Sequence, residues 1–291
     1  MRYRIPALAL IGVVLGGCSE GVLDPKGPIA SAERLILFNS LGIMLVIVIP
    51  TILATLAVAF WFRASNRRAA YLPDFVYSGR LELLVWSIPA MTVLLVGGVA
   101  WVGAHDLDPR KAISSTAKPV TVQVISLDWK WLFIYPEQGI ASVNHLVVPV
   151  GTPLSFELTS STVMNSFFVP QLGGQIYTMS GMVTRLQLQA DHAGIYPGFS
   201  AMFSGDGFSD MHFRVDAVES DGFARWVHEA HETGLVLDAQ SYADLAKPSQ
   251  AVAPFTYRAI TADLFSGVVN SASAADDPSR RISSTSQRAE Q

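Results

Sequence analysis

Residues 194–213 read GIYPGFSAMFSGDGFSDMHF, a stretch rich in glycine and serine. Its hydroxyl side chains include Ser200 and Ser204, and it contains no cysteine. The single cysteine of the chain is Cys18, far away near the N-terminus. A binuclear copper site needs bridging thiolates, and a blue-copper site needs at least one thiolate. The stretch therefore cannot build either kind of copper centre. Taken alone, it is typical of a Gly/Ser surface loop.

A second stretch, VMNSFFVPQLG at residues 163–173, precedes this loop. The pair resembles subunit II of the haem-copper cytochrome c oxidases, in which G-x-Y-x-G-x-C-x-E-x-C-G-x-x-H-x-x-M and H-S-F/W-x-V-P-x-L-G hold a binuclear copper centre. The framing residues of the loop motif are present as Gly194, Tyr196, Gly198, Gly205 and Met211. The resemblance implies six vestigial copper-site positions, which are Asn165, Ser200, Met202, Ser204, Phe208 and Met211. Only Met211 keeps the residue of that family, and a lone thioether is a weak ligand.

A third stretch, DWKWLFIYPEQGIASVN at residues 128–144, makes the resemblance closer. The three stretches together are similar to subunit II of the bo-type ubiquinol oxidases of bacteria, which lacks the binuclear copper site. The resemblance implies a cupredoxin fold for residues 117–218, followed by an aromatic-rich extension. It also implies that this chain has no catalytic residue, metal or cofactor of its own. Haems and copper are then expected in subunit I, with ubiquinol as the substrate of the complex.

The composition indicates a membrane protein. The chain has 291 residues, of which 50% are hydrophobic and 15% charged, and a net charge of −4. So small a net charge gives no reason to expect a nucleic-acid partner. Arg2 and Arg4 followed by apolar residues 5–15 are typical of a secretory signal. The sequence Leu-Gly-Gly-Cys ending at Cys18 resembles a bacterial lipobox, which implies removal of residues 1–17 and acylation of Cys18. The alternative is an ordinary signal with an incidental cysteine.

Two uncharged runs, residues 35–62 and 83–104, predict transmembrane helices, because each exceeds the roughly 20 residues that cross a bilayer. The segment between them, residues 63–82, carries four arginines and is therefore predicted to be cytoplasmic. The linker at residues 18–34 and everything after residue 104 then lie in the periplasm. The expected location is the bacterial inner membrane.

Beyond residue 117 the pattern changes to that of strands. Apolar residues alternate in residues 120–124, 129–135 and 154–158, and Gly/Pro breaks separate the runs. This predicts an all-β Greek-key sandwich or barrel. Trp129 and Trp131 match the aromatic pair that passes electrons to copper in cytochrome c oxidases, and without copper we interpret them as core and interface residues.

The C-terminal region is expected to be mainly helical. An apolar stripe at Phe223, Trp226, Val227 and Ala230 predicts a helix. The predicted fold class is thus two N-terminal transmembrane α-helices, an all-β cupredoxin-like domain and short C-terminal helices. Residues 219–267 are assigned to the helical, aromatic-rich extension, and residues 270–291 to a disordered tail.

Glu82 stands at the start of the second apolar run. The haem-copper oxidases carry a subunit II glutamate in a motif near E-x-x-W-x-x-x-P, at the mouth of a proton channel into subunit I. Here Trp86 and Pro89 follow Glu82 at four and seven residues, a departure of one residue in spacing. The resemblance implies a proton-channel entrance at Glu82. The alternative is an interfacial charge paired with Arg80 that marks the start of the helix.

Three functions compete. The first is an accessory subunit of a proton-pumping ubiquinol oxidase, with subunit I, further small membrane subunits and lipid as partners. The second is a copper-carrying subunit II of cytochrome c oxidase, which the missing ligands exclude, so that no cytochrome c partner is expected. The third is a free-standing membrane lipoprotein with a cupredoxin-like binding domain.

Overall fold

The computed structural model describes residues 21–70 and 72–275. Cys18 and the signal segment lie outside the described residues. Contacts divide the chain into two compact units. One unit is Ala32–Asp108, and the other joins the described residues 21–31 and 109–275.

Two long apolar helices account for most of the first unit. Helix α1 is Pro28–Trp61 and helix α2 is Gly79–Asp106. Each contains an 18-residue window of high mean hydropathy, 2.7 in α1 and 2.1 in α2, so both are long and apolar enough to cross a membrane. Pro50 and Pro89 lie inside them without ending them. Within this unit, a Cβ on Gly103 would overlap the side chain of Ile36, so the two helices touch at that point.

Helix α1 starts earlier than the predicted span of 35–62. Residues 28–34, which the sequence assigned to a linker, are helical. Proline suits the first position of a helix because its missing N–H would have no partner there. Ala30 is 2% exposed, so this first turn of the helix is packed and not loose.

Two β-sheets form the second unit. The strands are β1 (Val120–Leu127), β2 (Lys130–Tyr135), β3 (Ile140–Val143), β4 (His145–Pro149), β5 (Leu154–Ser160), β6 (Asn165–Phe168), β7 (Ile176–Thr178), β8 (Thr184–Leu188), β9 (Gly194–Ser200), β10 (His212–Val218), β11 (Leu235–Leu237) and β12 (Phe255–Ile260). One sheet has seven strands in the order β11-β12-β3-β2-β1-β5-β8. The other has five strands in the order β4-β10-β9-β6-β7. As predicted, the element order is two apolar helices, a β domain and short C-terminal helices.

The core lies on both faces of strand β2. Trp131, Phe133 and Tyr135 belong to one cluster of buried side chains, which fills the space between the sheets. Leu132 and Ile134 point to the opposite face and belong to a second cluster. Both faces are covered because the C-terminal extension packs on the outer side of the larger sheet.

That extension is not only helical, contrary to the prediction for residues 219–267. Helix α3 (Ser220–Glu232) and helix α4 (Ala239–Leu245) alternate with strands β11 and β12. Strand β12 pairs antiparallel with β3, with Phe255 opposite Val143. The alternation of Phe255, Tyr257 and Ala259 is a strand period, and it places Tyr257 in the second cluster.

The last helix, α5 (Leu264–Ala275), corrects the first part of the predicted tail, and residues 276–291 lie outside the described residues. Residues 270–275 are helical, although the sequence assigned them to a disordered segment. Phe265 and Val268 are buried in the second cluster and hold this helix against the sheet. The hydroxyl of Ser273 donates to the carbonyl oxygen of Gly181 at 2.9 Å.

An N-terminal strap, defined here as residues 24–31, is bound to the β domain. The amide of Lys26 donates to the carbonyl oxygen of Gln171 at 2.7 Å, and the carbonyl oxygen of Lys26 accepts from the amide of Asp191 at 2.8 Å. A Cβ on Gly27 would overlap the backbone carbonyl oxygen of Gln189. The strap thus fits between two loops of the domain only because Gly27 has no side chain.

Candidate functional site

The six residues predicted to be vestigial copper-site positions lie at one end of the five-stranded sheet. Asn165 begins strand β6, and Ser200 ends strand β9. Met202 and Ser204 follow in the loop after β9, Phe208 begins a 3-10 turn (Phe208–Asp210), and Met211 directly precedes β10. Because β6 and β10 both pair with β9, the ends of these three strands bring the six positions together at one end of the sheet.

Asn165 and Ser200 are in direct contact. The Ser200 hydroxyl donates to Asn165 Oδ1 at 3.2 Å and lies equally close to the carbonyl oxygen of Met202. Asn165 is 1% exposed and Ser200 is 4% exposed. A buried polar group is costly unless it is hydrogen-bonded. This pair therefore satisfies two buried side chains where the copper family has a histidine and a cysteine.

Ser204 and Met211 form the second contact in the site. The Ser204 hydroxyl lies 3.9 Å from the Met211 sulfur, and Met211 is buried. The Phe208 ring faces Phe203, with ring centres 5.6 Å apart. Phe208 therefore contributes an apolar contact, where the resemblance predicts a histidine in the copper-binding relatives.

Trp129 holds the loop from the side. It lies in the turn between β1 and β2 with a φ of 63°, a conformation that costs a bulky residue energy. Its indole Nε1 donates to the carbonyl oxygen of Ser204 at 3.1 Å. Its ring also packs on Gly207, where a Cβ would overlap it, and next to Gly205 at a φ of +107°. The Trp129 ring and two glycines thus help to fix the shape of the loop.

The donor atoms of the six side chains at this end of the sheet do not fit a copper ion. The six side chains supply one amide, two hydroxyls, two thioethers and a phenyl ring, with no thiolate or imidazole. Among the described residues, no group of three or more His, Cys, Asp and Glu side chains is arranged to hold a metal ion. The neighbouring His212 is exposed, and its ring faces Phe199. The chemistry available here is hydrogen bonding and apolar packing.

Lys130 is a buried residue that the sequence pattern did not identify. It lies on the face of β2 opposite Trp131 and is 1% exposed. Its ammonium group donates to the carbonyl oxygens of Asp128 at 3.1 Å and Lys247 at 2.9 Å, and to the Ser249 hydroxyl at 2.7 Å. Burial lowers the pKa of Lys130, and the nearby charge of Asp128 partly opposes this shift. The lysine ties the C-terminal extension to the β1–β2 turn.

Glu82 belongs to the other unit and lies in the first turn of α2. Its side chain is exposed, and its amide donates to the carbonyl oxygen of Ser78 at 3.0 Å. No ion pair joins Glu82 to Arg80 within the described residues. The pairing that the helix-boundary interpretation suggested is therefore absent from this part of the chain.

Family models match two parts of the chain. The periplasmic domain of cytochrome c oxidase subunit II matches residues 138–218, and the COX aromatic-rich motif matches residues 232–272. A solved structure, the periplasmic domain of subunit II of cytochrome oxidase from Bradyrhizobium japonicum, aligns with a TM-score of 0.38 and 24% identity over 41% of this chain and 98% of that one. The predicted cupredoxin-like fold class is confirmed, and the two apolar helices with a periplasmic domain are those of a membrane protein.

Other relatives match most of the chain at higher identity. The chain is 45% identical over 257 residues to cytochrome bo(3) ubiquinol oxidase subunit 2 of Pseudomonas aeruginosa. The aligned region covers 88% of this chain and 78% of that protein. It is 48% identical over 240 residues to ubiquinol oxidase subunit 2 of Acetobacter aceti. This aligned region covers 82% of this chain and 78% of that protein. The chain therefore belongs to the ubiquinol oxidase subunit 2 family.

Proposed function

We propose that this chain is the metal-free subunit 2 of a proton-pumping ubiquinol oxidase in a bacterial inner membrane. The complex oxidises ubiquinol and reduces oxygen to water, and its haems and copper belong to subunit I. This chain serves assembly and structure. The observation that carries the proposal is similarity to ubiquinol oxidase subunits over most of the chain, combined with hydrogen-bonded Asn165 and Ser200 at the copper-site positions.

The proposal is tested by purifying the complex in mild detergent through a tag on this chain. We expect a haem-containing subunit to co-purify, with oxygen uptake that depends on ubiquinol and does not respond to reduced cytochrome c. Recovery of this chain without haem, and without ubiquinol oxidation, would instead favour a free-standing lipoprotein.

The proposed function includes proton uptake at Glu82. An exposed carboxylate in the first turn of a membrane helix is suited to accept protons from the cytoplasm at a water-filled entrance. We expect Glu82→Ala to slow steady-state ubiquinol oxidation while haem content and assembly stay unchanged. Glu82→Asp should have a milder effect because it keeps the carboxylate.

Arg80→Ala is the matched control for Glu82. Arg80 is exposed and two residues away, so its loss changes the local charge without removing the carboxylate. Normal turnover in Arg80→Ala together with slow turnover in Glu82→Ala supports proton uptake. Normal turnover in both variants, or loss of assembled complex in both, would make Glu82 a helix-boundary residue.

The proposal also includes acylation of Cys18, which lies outside the described residues. The mature chain would begin at this cysteine and carry lipid in the outer leaflet. Two membrane helices anchor a chain more firmly than acyl chains do, so we expect Cys18→Ser to lose the lipid and keep most of the activity. Mass spectrometry of the mature N-terminus measures this directly, and an intact N-terminus starting at Met1 would contradict it.

A further inference from the structure

Four arginines, Arg63, Arg67, Arg68 and Arg80, lie in the segment that joins the two membrane helices and are together called the basic surface here. Between Phe62 and Arg80 the only acidic residue is Asp74. We propose that this basic surface binds the headgroups of anionic phospholipids on the cytoplasmic side of the membrane. This goes beyond the proposed function, because it concerns neither ubiquinol nor proton uptake.

The arginines of this surface are accessible and not neutralised by the chain itself. All four are exposed. Among the described residues, Arg67, Arg68 and Arg80 form no ion pair with a carboxylate. The Arg63 guanidinium lies 4.0 Å from the centre of the Phe60 ring, which holds it at the end of α1. Each guanidinium therefore keeps its hydrogen-bond donors available to an outside partner.

Exposed apolar side chains accompany the arginines. Trp61 ends the first helix and Phe62 follows it, and they are 53% and 60% exposed. Phe75, Val76 and Tyr77 precede the second helix and are 61%, 92% and 69% exposed. Contact between water and a group of large apolar side chains is unfavourable. Aromatic side chains are favourable at the level of lipid headgroups, where the ring meets the acyl boundary and polar atoms meet water.

The basic surface lies on the side of the membrane where anionic lipid attracts basic segments. The domain that follows α2 matches a periplasmic family, and α2 itself is long and apolar enough to cross the bilayer. The segment before α2 then lies at the cytoplasmic face. Clusters of basic residues beside a membrane helix on this face are attracted to anionic lipids.

Guanidinium groups favour a phosphodiester over other partners. A planar guanidinium donates two parallel hydrogen bonds to phosphate oxygens, whereas a lysine acts as a point charge. Arg67 and Arg68 are adjacent, and the amide of Arg68 donates to Asn66 Oδ1 at 3.1 Å, which fixes the backbone at this point. The aromatic side chains fit an acyl boundary better than an acidic protein surface, so charge and apolar character together favour lipid.

The test compares phosphatidylglycerol binding to the delipidated, purified complex by native mass spectrometry. The variants are Arg67→Gln/Arg68→Gln and, as a control of equal charge, Arg185→Gln/Arg225→Gln in the β domain, where both arginines are also exposed. We expect the loop variant to bind phosphatidylglycerol roughly tenfold or more weakly, because each basic residue near an anionic surface contributes about 1 kcal/mol. The control should bind like the unmodified complex, and Arg67→Lys/Arg68→Lys should fall between them.

Each other outcome would overturn the proposal. If Arg67→Gln/Arg68→Gln leaves the lipid affinity unchanged, the basic surface is not a lipid-binding site. An equal loss in the β-domain control would mean that binding follows total charge. If the loop variant keeps its lipid affinity and loses a co-purifying subunit, the surface is a protein interface instead.

Discussion

Single residues hold the loop between β9 and β10 in place. Asn165 and Ser200 satisfy each other by a hydrogen bond, and Ser204 lies next to the Met211 sulfur. The Trp129 ring supports the loop at Gly205 and Gly207. These contacts together hold the ends of β6 and β9 and the loop between β9 and β10.

This leads to a prediction about restoring copper. The combined substitution Asn165→His, Ser200→Cys, Met202→Glu, Ser204→Cys and Phe208→His should create a binuclear copper site, because the framing residues still position the loop. The measurement is a purple colour with near-infrared absorption after copper is added to the purified protein. A control with only Asn165→His and Phe208→His should stay colourless, since it has no thiolates. A colourless fivefold variant that is folded would show that the loop differs in shape as well as in chemistry.

Lys130 carries a prediction about stability. Lys130→Ala removes three hydrogen bonds and leaves a cavity, and should lower the free energy of unfolding by roughly 2–4 kcal/mol. Lys130→Met fills the space and should cost less. Burial lowers the pKa of Lys130 in the folded protein. The unfolded chain therefore binds this proton more tightly, and the free energy of unfolding rises with pH until the lysine of the unfolded chain also loses its proton, at about pH 10.5.

The pH dependence separates this role from simple packing. Lys130→Met has no proton to lose, so the rise in unfolding free energy between about pH 8 and pH 10 should be smaller in the variant. Chemical unfolding at several pH values measures it. An identical pH profile in the two proteins would mean that the lysine is charged to the same extent when folded and unfolded.

At the scale of elements, the N-terminal strap is the part that depends most on a single residue. Gly27→Ala places a methyl group against the carbonyl oxygen of Gln189 and should displace the strap, at a cost of about 1–3 kcal/mol. Trypsin should then cut after Lys26 faster, because the carbonyl of Lys26 would no longer be bound. Gly267→Ala in α5 meets nothing within 4 Å and is the matched control. Equal cleavage rates in the two variants would contradict a tight fit at Gly27.

The elements also differ in how far the sequence predicts them. Uncharged runs predicted both long helices, and apolar residues at period two predicted strands such as β1, β2 and β5, because side chains two residues apart share one face of a strand. Strands β11 and β12 were missed, since β11 has three residues and β12 follows a proline-containing stretch. The burial of Lys130 was also missed, because its covering partners Lys247 and Ser249 are distant in sequence. Contacts of that kind leave no local pattern.

At the scale of the whole molecule, we expect the loop between the membrane helices and the β domain to lie on opposite sides of the membrane. Ser65→Cys lies in the loop between the helices, and Ala224→Cys lies on the exposed side of α3. In intact spheroplasts a membrane-impermeant maleimide should label Ala224→Cys and leave Ser65→Cys unlabelled until the cells are broken. Both should be compared with the unmodified chain, whose only thiol is Cys18. Labelling of Ser65→Cys in intact spheroplasts would reverse the assigned orientation.

The docked strap has a consequence for how the chain is made. Its residues are synthesised before both membrane helices, while Gln171 and Asp191, which bind it, are synthesised after them. The contact can close only when the ribosome has released both helices and the translocated domain has folded on the same side as the strap. A chain in which only one of the two helices crosses the membrane would leave Lys26 and Gln171 in different compartments. We expect the strap to close only in molecules whose two ends lie on the same side, and to stay open to proteolysis in the others.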